Sequence, residues 1–365
     1  MCVHTEKLYM DEITKNVRIS DIARMAGVSV GTVDRILHNR GKVSKAAQEK
    51  VNRVLREVEY RPNLMARSLA LKKQFNIAAL IPTFLPGEYW EKTTEGIDKA
   101  AGELNNYNVV VNKIFFDQYD QSSFEQACKT VLLNEFNGVL ISTLFSDAVT
   151  ELSIHLDEKH IPYVYIDSNI PDNNQLAYFG TNSYDGGYIA SKLLTGKIVQ
   201  NADILIGKII REKNNSSTQV KNREKGFTEY LQESGFSGNI ISCELHIEDP
   251  GYNKEILDKI FKINPNIRGA VVFNSVCYVL ADYLEKCKKK DIKLVGYDLV
   301  KRNIRHLTEG TITWLIAQRP EVQGYNGIKA LGNYLTYGET VPQINFMPID
   351  ILIKENIGYY QNNNL

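Results

Sequence analysis

Three polar residues stand where the pattern of the chain could put them to work. Asp167 follows the apolar run Tyr-Val-Tyr-Ile, Asn274 follows Ala-Val-Val-Phe, and Asp298 follows Leu-Val-Gly-Tyr. Each comes just after a segment that reads as a buried strand, and in open α/β sheets ligands sit beyond the carboxyl ends of the strands. Carboxylates and amides offer paired acceptors and donors, which a hydroxyl-rich ligand needs together with an aromatic plane for its apolar face. Phe84, Tyr89 and Trp90 follow the first apolar run of the body and are candidates for that plane. The competing roles are helix capping or salt bridging for the polar residues and core packing for Trp90.

The same carboxylates could be catalytic, but the partners that catalysis needs are missing from the pattern. There is no GxxxxGK[ST] phosphate loop, no GxSxG turn and no paired base and nucleophile. The six histidines have no metal-binding spacing. The five cysteines, Cys2, Cys128, Cys243, Cys277 and Cys287, are odd in number, scattered and without a CxxC pair. That usage fits free thiols in a reducing compartment. The expectation is a non-enzyme with no cofactor, no metal and no catalytic residue.

A second chemistry lies near the N-terminus. The 365 residues balance 43 Lys and Arg against 43 Asp and Glu, yet residues 1–75 hold 15 basic against 8 acidic side chains. The other 290 residues hold 28 against 35. A basic end on an acidic body suits a chain that meets a polyanion at one end, although a solvated basic helix surface would look the same. Within that end, Arg35 could donate two hydrogen bonds to guanine O6 and N7, or merely touch a phosphate. Val30 offers apolar contact, for example to a thymine methyl, and Gly31 contributes no side chain.

The elements that would position these residues follow from local signals. Ser20 is expected to cap a helix over Asp21–Ala26, with Asp21 favourably placed in its first turn. Gly27 ends it in the left-handed conformation, and Ser29 caps a second helix running to about His38. Ile22, Met25, Val33 and Ile36 supply the apolar face, and Ala23 lets the two helices cross closely. Two short helices around a glycine-containing turn form a helix-turn-helix, which places its second helix in the major groove. Val30, Gly31, Asp34, Arg35 and His38 fall on the exposed side of that helix. A third helix, capped by Ser44, repeats Ala47, Val51, Val54, Leu55 and Val58 at helical spacing.

Pro62 then breaks the chain, because it pushes Arg61 out of the α region. Asn63 can cap a short segment, Leu64–Leu71, which is too short to be a stable helix alone. From Phe75 the pattern changes. Ile77–Ile81, Val109–Ile114, Gly138–Ile141, Tyr163–Ile166, Ala177–Phe179, Ala202–Ile206, Gly269–Phe273 and Leu294–Gly296 read as buried strands. Amphipathic segments lie between them, including Thr94–Leu104, Ser122–Asn134, Gly187–Leu194 and Tyr278–Lys289. This alternation predicts an α/β body with parallel sheets. A hydrophobic fraction of 43% is ordinary for a globular chain. No run approaches the roughly 18 apolar residues of a membrane span, and charges occupy the place of a signal-peptide core. A cytoplasmic protein without membrane contact is expected.

These residues carry a resemblance. Ile19-x-Asp21-Ile22-Ala23-x-x-Ala26-Gly27-Val28-Ser29-x-x-Thr32-Val33-x-Arg35, then Val43-Ser44, then Tyr60-x-Pro62-Asn63-x-x-Ala66-Arg67-x-Leu69, resemble the lactose-repressor (LacI/GalR) family of bacterial transcription regulators. The resemblance implies a helix-turn-helix domain over 17–61 after an extension over 1–16, and a hinge helix and linker over 62–74. It implies a body over 75–365 made of two doubly wound α/β subdomains, like periplasmic binding proteins, joined by three crossovers. The subdomains would span about 75–174 plus 301–333, and 175–300 plus 334–358.

The resemblance also implies a homodimer on a pseudo-palindromic double-stranded DNA operator. Ser20, Ser29, Val30, Gly31, Thr32, Asp34, Arg35 and His38 would read it, with Asn63, Ala66, Arg67 and the wedge Leu69 at its centre. In the cleft it supports Asp167, Asn274 and Asp298, adds Arg223 and Gln318, and lends Phe84 and Trp90 a stacking role against a carbohydrate effector. Asp34 departs from the family, which often has a small hydroxyl residue there. A carboxylate among phosphates must accept from cytosine N4 or pair with Arg35 or Arg40. The alternatives to a regulator are a solute-binding protein serving transport and a sugar-acting enzyme fused to a DNA-binding module.

Overall fold

The computed structural model describes residues 17–37, 41, 43–58, 74–210 and 217–362. The expected extension over 1–16 and residues 62–73 of the expected hinge lie outside the described residues, and so do His38, Asn63, Ala66, Arg67 and Leu69. The chain divides into two units, Met1–Lys72 and Lys73–Leu365, which are described separately.

The first unit holds three helices, α1 (Ile19–Ala26), α2 (Val30–Leu37) and α3 (Lys45–Glu57). Their inward faces bury Ile22, Ala23, Ala26, Val33, Val51 and Val54. Gly27 ends α1 at φ 65°, a conformation that favours a residue without a Cβ. The Ser29 hydroxyl accepts the Thr32 N–H at 3.1 Å, and the Ser44 hydroxyl accepts that of Ala47 at 3.3 Å. Two expectations are corrected. Ser20 does not cap α1, because the helix begins two residues earlier, at Ile19, and the Asp21 carboxylate accepts the Arg18 N–H at 3.1 Å. Met25 is 45% exposed, since it sits on the far side of Ile22 from Ala23 and Ala26, around the helix from the buried stripe.

The second unit is two lobes, each built on a six-stranded sheet. Lobe one opens with β1 (Phe75–Pro82), α4 (Tyr89–Asn105), β2 (Val109–Phe116), α5 (Gln121–Leu133), β3 (Gly138–Ser142), α6 (Ser146–Glu158), β4 (Tyr163–Ile166) and β5 (Ala177–Gly180). Lobe two follows with α7 (Ser183–Thr195), β6 (Asp203–Ile209), α8 (Thr218–Glu233), β7 (Ile240–Leu245), α9 (Pro250–Ile263), β8 (Ile267–Val272), α10 (Tyr278–Lys286), β9 (Lys293–Tyr297), α11 (Lys301–Glu309) and β10 (Trp314–Ala317). The chain then returns to lobe one for α12 (Pro320–Tyr337) and β11 (Ile344–Phe346), and ends in lobe two with β12 (Asp350–Leu352) and α13 (Ile357–Asn362). The strand orders are β11-β5-β4-β3-β1-β2 and β12-β10-β9-β8-β6-β7. All pairs are parallel except β10 with β12. Nearly continuous burial along β1, β3 and β4 is what helices on both faces of a parallel sheet require.

The chain therefore crosses between lobes at Thr181–Asn182, at Gln318–Arg319 and at 347–349. This moves the expected boundaries. β5 pairs with β4 and belongs to lobe one, while α11 and β10 belong to lobe two, where Leu307 and Leu315 join the core around Leu280 and Leu294. The segment 334–346 stays with lobe one through β11.

Each lobe contains one helix pair whose backbones touch. In lobe one a Cβ on Gly96 of α4 would fall 1.9 Å from the Glu321 carbonyl oxygen, and one on Gly324 of α12 would fall 2.3 Å from that of Thr93. In lobe two a Cβ on Gly187 of α7 would fall 1.8 Å from the Arg223 carbonyl oxygen, and one on Gly226 of α8 would fall 2.0 Å from that of Tyr184. The second pair fixes where α8 presents its first two turns. Gly226→Ala is expected to lower stability by about 1–3 kcal/mol through overpacking. Gly102→Ala is the control, because it meets nothing within 4 Å inside α4 and should be neutral or stabilising. Thermal unfolding followed by circular dichroism compares them, and equal midpoints would contradict the close-packing account.

Candidate functional site

The strand ends of both lobes face one cavity of 240 Å³ in the body. Lobe one lines it with Tyr89, Trp90, Gln118, Leu144 and Asp167, and lobe two with Lys208, Gln219, Glu224, Phe273, Asn274 and Asp298 among others. Asp167 and Asp298 occupy equivalent places after β4 and β9, both in the left-handed region, at φ 78° and 68°. Such strain persists only where the surroundings hold it. In lobe one the Thr143 hydroxyl lies 2.9 Å from the Ile166 carbonyl and 2.6 Å from that of Ser168, bracketing Asp167. In lobe two the buried Asn303 amide donates to the Tyr297 and Ser275 carbonyls at 2.9 and 2.8 Å, tying the Asp298 turn to the loop after Asn274.

A chain of side-chain amides links the two carboxylates. Gln318, on a crossover, donates to Asp298 at 2.7 Å and accepts from Thr181 at 3.1 Å. Gln219, in the first turn of α8, donates to the Gln318 oxygen at 3.1 Å and to the Asp167 carboxylate at 3.0 Å. The Asp167 N–H donates to Gln323 at 3.0 Å, and Gln323 returns a bond to the Gln318 carbonyl at 2.8 Å. The Ser146 and Thr218 hydroxyls also meet across the lobes at 2.8 Å.

The sequence candidates divide on inspection. Trp90, Asp167, Asn274 and Asp298 all line the cavity. Arg223 stands behind its wall, 1% exposed, with its guanidinium 4.0 Å from the Tyr297 ring centroid and a 2.7 Å bond to the Phe273 carbonyl. Its Nε has no hydrogen-bond partner among the described residues. Gln318 is buried within the amide chain rather than on the cavity surface. Phe84 is not part of this cavity. It packs edge-on against Phe115 at 6.3 Å, because the loop after β1 turns it towards β2. Tyr89 takes the place beside Trp90, ring to ring at 5.0 Å. Gln219 and Gln323 are additions from the structure. Gln219 precedes Arg223 by one helical turn, so a helical reading of this segment would have placed both on one face.

Asp282, Glu285 and His306 bring ligand atoms within 4.8 Å of one another, a spacing a metal could use. Arg302 already pairs with Asp282, and Arg305 donates to Glu285 at 3.1 Å, so guanidinium groups supply the positive charge there.

In the first unit Ser20, Ser29, Val30, Gly31 and Arg35 are exposed, while Thr32 and Asp34 are half-buried. The Thr32 hydroxyl meets that of Ser29 at 2.8 Å. Val30, at 52% exposure, is an apolar side chain held out at the start of α2.

Comparisons with known proteins agree with both units. Residues 77–340 match the periplasmic binding protein domain family, and residues 18–63 match the bacterial regulatory proteins, lacI family. A solved structure described as a LacI transcriptional regulator from Bacteroides fragilis is 38% identical, with a TM-score of 0.74, covering 79% of this chain and all of that one. The ribose operon repressor of Halalkalibacterium halodurans is 25% identical, over 77% of this chain and 80% of that protein. The HTH-type transcriptional regulator DegA of Bacillus subtilis is 27% identical, over 77% and 81%. GanP, a glucose-galactose binding protein from Geobacillus stearothermophilus, shares the fold of the body at 21% identity and a TM-score of 0.69, covering 78% of this chain and 99% of that one. The molecule thus joins a helix-turn-helix reader to a periplasmic-binding-protein body. It belongs to the lacI family of bacterial regulatory proteins and is a DNA-binding transcription regulator. Among the described residues no helix is long and apolar enough to cross a membrane.

Burial pushes the Asp298 carboxyl up to about 6, against the opposing pull of Arg223 and of the bond from Gln318. Its pKa in the fold exceeds the unfolded value of about 4, so its contribution to stability is complete below pH 4 and is lost as pH rises through 6. Asp298→Asn should therefore melt higher than the parent chain at pH 7 and lose that advantage at pH 4. Thermal melts across this range provide the check, and a pH-independent difference between the two proteins would contradict it.

Proposed function

We propose that this regulator is a cytoplasmic, homodimeric repressor whose hold on a pseudo-palindromic operator is set by a small carbohydrate bound between the lobes. It acts by binding rather than by turnover. The observation that carries this reading is the pair Asp167 and Asp298, one from each lobe, turned into a single cavity beside Trp90 and Asn274. Carboxylates accept from sugar hydroxyls, the amide of Asn274 both donates and accepts, and Trp90 offers a plane for the apolar face of a pyranose or furanose. A ligand that touches both lobes changes the free energy of their arrangement, which is what shifting an equilibrium between two states requires. Relatives named as repressors of ribose and sucrose operons support the ligand class.

On the DNA side, Arg35 and Val30 would read base edges from α2. Ser20, Ser29, Gly31, Thr32, Asp34 and His38 would frame that contact. Asn63, Ala66, Arg67 and Leu69 would act at the operator centre, where an apolar wedge costs a few kcal/mol of unstacking that bending and new contacts offset. Arg223 and Gln318 would act through the residues that they hold.

Two measurements by fluorescence anisotropy test this, using an operator selected from random DNA. Arg35→Ala should weaken operator binding and flatten the preference at one base pair per half-site, a loss of about 1–3 kcal/mol. Equal loss on operator and random DNA would reduce Arg35 to a phosphate contact. Asp167→Ala should bind operator as the parent does, yet fail to respond to any aldopentose or aldohexose that shifts the parent.

A further inference from the structure

The geometry points to Gln219 as an internal stand-in for the ligand, an amide that occupies the hydroxyl-binding subsite and must leave before a sugar can enter. This rests on the carbohydrate reading of the cavity. Gln219 is anchored in lobe two, at the start of α8. Its side chain reaches the Asp167 carboxylate of lobe one at 3.0 Å and the crossover residue Gln318 at 3.1 Å. An amide –NH₂ carries two N–H donors on one nitrogen, so it can bond two acceptors at once. One is spent on the Asp167 carboxylate, an acceptor that a sugar hydroxyl would seek, and the other on the Gln318 oxygen behind it. Gln219 itself is buried while lining the cavity, so its amide fills volume as well as valence.

Three features make this arrangement a competitor rather than a ligand contact. The first is that Gln219 already occupies the inward acceptor site of the Asp167 carboxylate, so a sugar hydroxyl that takes that site must displace it. The second is its span. Together with Gln318 it completes a bonded path from Asp167 to Asp298 that holds the lobes to one another without ligand. The third is its location one turn before Arg223, which is fixed against Tyr297 and the Phe273 carbonyl. The helix is anchored, so only the side chain of Gln219 need rotate, at the cost of rotamer rearrangement and two hydrogen bonds. When the competent state is a minor fraction, apparent affinity falls by that fraction. Gln219 thereby sets the sugar concentration at which the regulator responds.

The sign of one substitution separates this from the ordinary alternative. Gln219→Ala and Gln219→Ser remove the long amide, and each should tighten the binding of whichever sugar the parent binds by at least fivefold in calorimetry. A ligand-contact role requires the opposite, so weaker or unchanged affinity in both variants overturns the proposal. Hydrogen exchange on the sugar-free full chain gives a second readout that needs no ligand. The Asp167 amide and the 318–323 segment should exchange at least tenfold faster in Gln219→Ala, because the bonded path is cut. Unchanged exchange there overturns the proposal as well. If neither parent nor variant binds any aldopentose or aldohexose, the carbohydrate reading fails, and the exchange result alone decides whether Gln219 ties the lobes.

Discussion

Two carboxylates facing one another across a buried cavity constrain everything else in the body. Like charges in a low-dielectric space repel, and each must be compensated by donors held in place. The molecule supplies direct bonds from amides and adds the field of a nearby guanidinium. Gln318 and Gln219 bond the acids directly, while Arg223, turned onto an aromatic ring and a backbone carbonyl, acts on Asp298 through its charge alone. Burial holds the Asp298 carboxyl at about 6, so above that pH it is a charged acceptor for hydroxyls. A salt bridge would have held them more tightly and left less for a ligand to gain.

The framework repeats its solution in both lobes. Each sheet ends in an aspartate in the left-handed region, each such turn is bracketed by a buried side chain, Thr143 or Asn303, and each lobe has a helix pair packed backbone to backbone through glycines. The consequence is rigidity on either side of a joint limited to three short crossovers. Rigid lobes on narrow joints convert small changes in cavity contents into movement of whole lobes, which is the physical requirement for a ligand-driven regulator.

Much of this was legible in the sequence because burial on both faces of a parallel strand leaves an uninterrupted apolar run. β1, β3, β4, β6, β8 and β9 announce themselves that way, and the polar residue after such a run marks the cavity. Asp167, Asn274 and Asp298 follow such runs, and all three line the cavity. The rule gives no help at an edge. β7 alternates exposed and buried positions, and β11 and β12 are three residues each, too short for any periodicity to show. Missing β11 and β12 is also why the lobe boundaries were misplaced, since those strands reveal which lobe each crossover serves. Phe84 packs on Phe115 away from the cavity, and loop position says nothing about which way a ring turns. Gln219 and Gln323 were overlooked because a glutamine in a helix looks like solvated surface until the fold shows what it faces. Ser20 lost its capping role to Asp21 by a shift of two residues, a difference in helix start that propensity does not resolve.

The central claim is that cavity and DNA reader share one free-energy balance. Linkage makes this directly measurable, because whatever factor a sugar imposes on operator affinity must reappear as the factor that operator imposes on sugar affinity. The decisive measurement is calorimetric titration of whichever aldopentose or aldohexose shifts operator binding into the full chain, alone and saturated with operator. The account predicts different sugar affinities in the two titrations, in a ratio equal to the shift in operator affinity caused by saturating sugar. Identical sugar affinity with and without operator would contradict it.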